Sequence, residues 1–287
     1  MPVPDALLRR LDWRLLRRLD GRLLGSHRTT ARGEGLDLAE VRLYDDGEDA
    51  RRIDWNATAR FAAPHARVFH EDRETTVWLV VDASASVRPR ARRTLDELAD
   101  ALVRLFARTG NPVGAVVFDG VAASVLPPAR GRAAQLRIGA ALEATAAARG
   151  GETDLAAMLD AVARAARRRS LVIVLSDLVG AGDWGGALLR LAGRAEVAVI
   201  RVVDAAERVL PPVGTVLVED AETGEQLLVD AADPGFRARL DAAHAQHDAE
   251  VRSATHRAAA ALHTVDAQED PGDALVRIVA ATARRRR

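Results

Sequence analysis

The sequence predicts an α/β protein: a mostly parallel sheet with one antiparallel edge hairpin, helices on both faces, and a small N-terminal segment of helix and irregular chain in front. Three observations carry this prediction. From Thr75 onward, short runs of β-branched and aliphatic residues alternate with longer stretches of helical periodicity. The runs Thr76–Val81 and Leu171–Leu175 are β-branched or apolar throughout, the pattern of strands covered on both faces. Each then stops in oxygen-bearing side chains: Asp82, Ser84 and Ser86 after the first, Ser176 and Asp177 after the second. In open α/β sheets that carboxyl edge is where ligands bind.

The elements follow in order. Leu7, Leu11, Leu15, Leu19 and Leu23 recur every four residues, so residues 7–24 read as an amphipathic helix with arginines beside its leucine stripe. Residues 40–60 are dense in charges of both signs and poor in periodicity, which suggests irregular or short-strand chain fixed by Arg–carboxylate pairs. After the Thr76–Val81 strand, Leu95, Leu98, Leu102 and Leu105 mark a helix over about Ala91–Ala107. Val113–Phe118 and Val121–Leu126 flank Asp119-Gly120, a hairpin turn. A helix over Ala133–Ala147 leads to Gly150-Gly151, and Thr153 or Asp154 caps the next helix, to about Arg167. Then come the strand Leu171–Leu175, a helix Trp184–Ala192 and a strand Val197–Val203. Val216–Val218 and Leu227–Val229 read as a second hairpin, Phe236–Leu262 as a long Ala-rich helix, and Gly272–Ala283 as a last helix. The implied organisation is residues 1–70 as a helix and charged segment, 71–232 as the α/β domain, and 233–287 as C-terminal helices.

Composition excludes several chemistries. The 287-residue chain has no cysteine, so disulfides, thiolate metal sites and a cysteine nucleophile are out. It has no lysine either, which excludes a P-loop lysine and a Schiff base. Acidic and basic residues balance at 41 each, so net charge argues for neither a nucleic-acid partner nor an acidic one, and none of the former is expected. No apolar run is long enough to span a bilayer and no signal peptide is visible, so the expected location is the cytoplasm.

Parallel strands bring their carboxyl ends to one edge, so Asp82, Ser84 and Ser86 should meet Asp177 there. Thr153 lies in a loop that must return to the same edge. Two carboxylates and three hydroxyls suit a hard cation, Mg²⁺ first, with Mn²⁺ or Ca²⁺ as alternatives. Each residue alone is equally an ordinary cap or turn former; their joint placement is the signal.

Asp82-x-Ser84-x-Ser86 after a buried strand, with Thr153 and Asp177 later, resembles the metal-ion-dependent adhesion site of von Willebrand factor type A domains, a Rossmann-like fold. The resemblance is wider. Gly33-Glu34-Gly35, Glu40-Val-Arg-Leu-Tyr44, Gly47-Glu-Asp49, Arg52-Ile-Asp-Trp55 and Thr58-Ala-Arg60 resemble the bacterial family called domain of unknown function 58. That resemblance implies a type A-like domain working beside a MoxR-type AAA+ ATPase, as an adaptor or chaperone component rather than an enzyme. It implies Asp82, Ser84, Ser86, Thr153 and Asp177 as ligands of an ion whose open position takes a carboxylate from the ATPase or its client.

Two other functions compete. Asp82 could be the nucleophile of a Mg²⁺-dependent phosphohydrolase, but Ala83 and Ser84 supply no second acid and no lysine balances the phosphoryl charge. The 7–24 helix could hold a peripheral scaffold on anionic lipid, although a leucine stripe packed on the domain explains it as well. His244, His247 and Glu250 share a helical face and could ligate zinc, or simply be solvated. The terminal arginines, Arg284–Arg287, could touch nucleic acid or lipid, or simply be a disordered end.

Overall fold

The computed structural model describes residues 3–9, 11, 36–44, 53–61, 63–71, 75–145, 153–167, 170–205, 208, 214–219 and 225–284. These fall into two compact units: one from the N-terminal residues together with the chain from Thr75 onward, and one between Leu24 and Glu74.

The smaller unit pairs β1 (Leu36–Leu43) antiparallel with β2 (His65–Glu71) around the short helix α2 (Trp55–Phe61). Asp54 caps α2, accepting the amides of Asn56 and Ala57 at 3.0 and 3.1 Å. Thr58 Oγ1 accepts the His65 amide at 3.0 Å, tying α2 to β2. Residues 45–52, which carry most of the expected charge pairs, lie outside the described residues.

The larger unit opens on a helical stretch, α1 (residues 5–9), of the expected leucine-striped helix; residues 12–24 lie outside the described residues. It continues as β3 (Val77–Asp82), α3 (Pro89–Arg108), β4 (Val113–Phe118), β5 (Ala123–Ala129), α4 (Gly131–Ala144), α5 (Leu155–Ala165), β6 (Leu171–Ser176), α6 (Trp184–Ala192) and β7 (Glu196–Val203). The hairpin β8 (Thr215–Glu219) and β9 (Gln226–Asp230), then α7 (Pro234–Arg257), β10 (Ala261–Asp266) and α8 (Pro271–Arg284), complete it. The six-stranded sheet has the order β10-β7-β6-β3-β4-β5, parallel except for β5. β5 is largely exposed and carries Pro127 and Pro128, which suit an edge that must not recruit another strand.

Alternation along the strands sends apolar side chains to both faces. Leu79, Val81, Val117 and Leu175 pack with Leu95, Leu98 and Phe106 of α3, Ile138 of α4, Leu275 of α8 and Leu8 of α1. Trp78, Val80, Val116 and Val174 pack on the other face with Leu155, Met158 and Leu159 of α5, Leu188 of α6 and Val251 of α7. Gly114 admits the Trp78 ring, since a Cβ there would lie 3.0 Å from it. β3, β4 and β6 are buried along their whole length, as their apolar runs require.

The C-terminal segment departs from expectation. The Phe236–Leu262 helix ends at Arg257, and Ala261–Asp266 is instead an edge strand, parallel to β7. Ala259 in the left-handed region, at φ 51°, makes the turn. Alanine-rich periodicity carries no stop signal, and the alternating burial of β10 is what marks it as a strand. Residues 233–287, expected as flanking helices, thus supply a strand of the sheet and a helix of its packing layer.

Candidate metal centre

β3 delivers Asp82 as its last residue, with the side chain 0% exposed. The chain then turns so that the Ser84 amide and Ser84 Oγ both donate to Asp82 Oδ1, at 3.1 and 2.6 Å. Ser84 Oγ and Ser86 Oγ are 2.9 Å apart, and Ser86 Oγ lies 3.2 Å from Thr153 Oγ1. Because the Ser84 proton is spent on Asp82, Ser86 must donate to Ser84 in this relay, and Thr153 to Ser86.

From the opposite side Ser176 Oγ donates to Asp82 Oδ2 at 2.6 Å and accepts the Leu178 amide at 2.8 Å. Sequence reasoning named Ser176 but not as a site residue. Its signal was register: Val81 pairs with Leu175, so the next residues, Asp82 and Ser176, are neighbours. Asp177 follows on the same loop. Its Oδ1 accepts the Val179 amide at 2.9 Å, and its backbone carbonyl accepts Arg201 Nε at 3.0 Å.

The Thr153 and Asp177 loops are fastened together. Ala181 donates to the Thr153 carbonyl at 2.8 Å, and Asp154 bridges Ala181. Asp154 also caps α5 through the Ala157 amide at 2.9 Å, resolving the choice of cap. A Cβ on Gly180 would come 2.5 Å from the Thr153 carbonyl, so the contact requires glycine. Leu178 sits at φ 60°, strained backbone for a branched side chain and of the kind that collects at functional sites.

The electrostatics are uneven. Burial pushes Asp82 above the ordinary carboxylate range; the Ser176 and Ser84 hydrogen bonds, and the more distant charge of Arg92, offset this only in part. Arg92 itself is engaged with Asp96, at 3.0 Å to each oxygen. Among the described residues, no cationic side chain touches Asp82. A buried carboxylate held, among the described residues, by two hydroxyls and one amide lacks a positive charge beside it. The donors gathered there are all oxygen, and the set fits a hard divalent cation.

The alternative zinc set does not assemble. Among the described residues no three His, Cys, Asp or Glu side chains come together as a metal site, His244, His247 and Glu250 included. The α7 helix leaves His247 Nε2 buried and, among the described residues, without a hydrogen bond. Among the described residues no helix is long and apolar enough to cross a membrane.

An α/β sheet of this order, with polar loops at the carboxyl ends of β3 and β6, defines a mostly parallel α/β protein with helices on both faces, and von Willebrand factor type A domains are among the solved structures similar to it. The chain belongs to the family described as Protein of unknown function DUF58, whose model matches residues 40–250. It is 37% identical to an uncharacterized protein of Mycobacterium tuberculosis (strain ATCC 25618 / H37Rv), over 99% of this chain and 91% of that one. Among solved structures it is similar to a von Willebrand factor type A protein from Catenulispora acidiphila, with 17% identity, TM-score 0.42, and coverage of 73% of this chain and 42% of that one. It is also similar to the SpRpn10 VWA domain, with 12% identity, TM-score 0.39, and coverage of 71% and 94%.

Proposed function

We propose that the chain is a non-enzymatic, metal-dependent protein-interaction module. Asp82, Ser84, Ser86, Thr153 and Asp177 hold a divalent cation, Mg²⁺ first and Mn²⁺ or Ca²⁺ as substitutes. The bound ion supplies a positive charge to which a partner's Asp or Glu carboxylate attaches. The partner is a MoxR-type AAA+ ATPase or its client, with this chain as adaptor. The observation that carries the reading is the relay of hydroxyls that ends on the buried, charge-deficient Asp82.

The same missing charge argues against Asp82 as a phosphohydrolase nucleophile. Among the described residues no cationic side chain touches Asp82, and the chain has no lysine, so nothing beside this carboxylate would balance the charge of an incoming phosphoryl group. A pull-down of the ATPase by the full chain, in Mg²⁺ and in EDTA, tests the partner. Capture in Mg²⁺ alone, abolished by Asp82→Ala, is the expected result. Capture that ignores both the chelator and the substitution would defeat the proposal, and so would turnover of a generic aryl phosphate that depends on Asp82.

A further inference from the structure

Arg201 is a charged residue in the middle of an otherwise apolar strand run, and it is 5% exposed. It pairs in register with Ser176 on β6 and with Thr264 on β10. By strand alternation it shares the α7 side of the sheet with Val197 and Val199. A buried guanidinium is expensive unless its donors are matched. Here they are matched in two directions. Nε donates to the Asp177 backbone carbonyl at 3.0 Å, and Nη1 donates to Asp248 Oδ1 on α7 at 2.7 Å. Asp248 is gripped in turn by Arg208, whose Nη1 and Nη2 donate at 2.9 and 2.8 Å. The planar guanidinium fixes both directions at once, which a flexible ammonium does not.

We infer that Arg201 is a positioning residue for the Asp177 loop and that Asp248 sets its aim. A carboxylate on α7 that takes no part in the candidate site thereby governs how tightly the cation is held. This rests on the metal reading above and adds the residues that tune it. The alternative role for the pair is plain anchoring of α7 to the sheet. Anchoring predicts lost stability with unchanged metal affinity; positioning predicts weakened affinity in protein that is still folded. The coupling is also reciprocal, because a cation that orders the Asp177 loop must steady Arg201 and, through it, Asp248.

The test is Mn²⁺ titration calorimetry on the full chain, with circular dichroism to establish that each variant is folded. Arg201→Lys and Asp248→Ala should each weaken Mn²⁺ binding by about tenfold or more, the range for partners that orient metal ligands. The double variant should be little worse than either single one, because the two residues act as one unit. Gln246→Ala, which removes only an exposed bond to Glu250 on the same helix, should bind as the wild type does. If Arg201→Lys does not fold, Asp248→Ala decides alone, since that side chain is only partly buried.

Wild-type binding with equal affinity in the variants overturns the positioning role and leaves the metal reading intact. Fully additive losses overturn it too, because they describe two independent groups. No Mn²⁺ uptake by the wild type overturns the metal reading, and the inference falls with it.

Discussion

Asp82 and Asp248 lie on the same side of one sheet, and their surroundings are opposite. Asp248 meets two guanidinium groups, Arg208 and Arg201, which hold its carboxyl far below the ordinary range. Among the described residues Asp82 meets two hydroxyls and one amide, and burial drives its carboxyl upward. One carboxylate is complete within the chain. The other is buried without a countercharge among the described residues, an arrangement that costs several kcal/mol unless a cation joins it. The difference separates a structural ion pair from a binding site more clearly than the residue types do.

Replacing Asp82 should have the largest effect. In wild type a cation at about 100 times its dissociation constant adds about 2.7 kcal/mol of stability by linkage. Asp82→Asn should lose that response entirely, as read from chemical denaturation with and without Mg²⁺. Next comes Ser176→Ala, which strips the donor from Asp82 Oδ2 and the acceptor from the Leu178 amide. A hydrogen bond to a charged group contributes about 2 kcal/mol, so a loss of that size is expected in urea unfolding.

The Asp248 side of the comparison responds to pH. Its folded pKa lies below the unfolded value, so its contribution is fully present above about pH 4 and fades as pH falls toward the folded pKa. Asp248→Asn should therefore be less stable than wild type at neutral pH. The gap should narrow below about pH 4 in a series of thermal scans; a gap constant with pH would contradict the ion pair. The smallest effect belongs to an exposed pair away from both networks. Arg93→Ala removes a contact to Glu97 at 3.1 Å and should change stability by less than about 0.5 kcal/mol.

The sheet was readable because its central strands are unbroken apolar runs, and only parallel strands covered on both faces need them. β10 was not, because Ala258, Ala260 and Ala261 continue the composition of α7 across the turn at Ala259. Within the site, Asp82, Ser84, Ser86 and Thr153 were visible as short polar residues after strands or in a returning loop, and the structure links them in one relay. Ser176 was hidden because its role depends on cross-strand register, which a single strand does not reveal. Arg201 was hidden for a different reason. Its partners are a backbone carbonyl and Asp248, 47 residues away on α7, and only its position within an apolar strand hinted at a matched burial.

The most direct measurement compares thermal unfolding of wild type and Asp82→Asn in EDTA and in millimolar Mg²⁺. The account predicts a crossing. In EDTA the variant should be at least as stable as wild type, because the neutral amide removes a buried uncompensated charge. In Mg²⁺ the wild type should rise above it, while the variant stays where it was. Parallel midpoints in both conditions, with wild type higher by the same margin, would mean that the hydroxyls already satisfy Asp82 and that no cation belongs there.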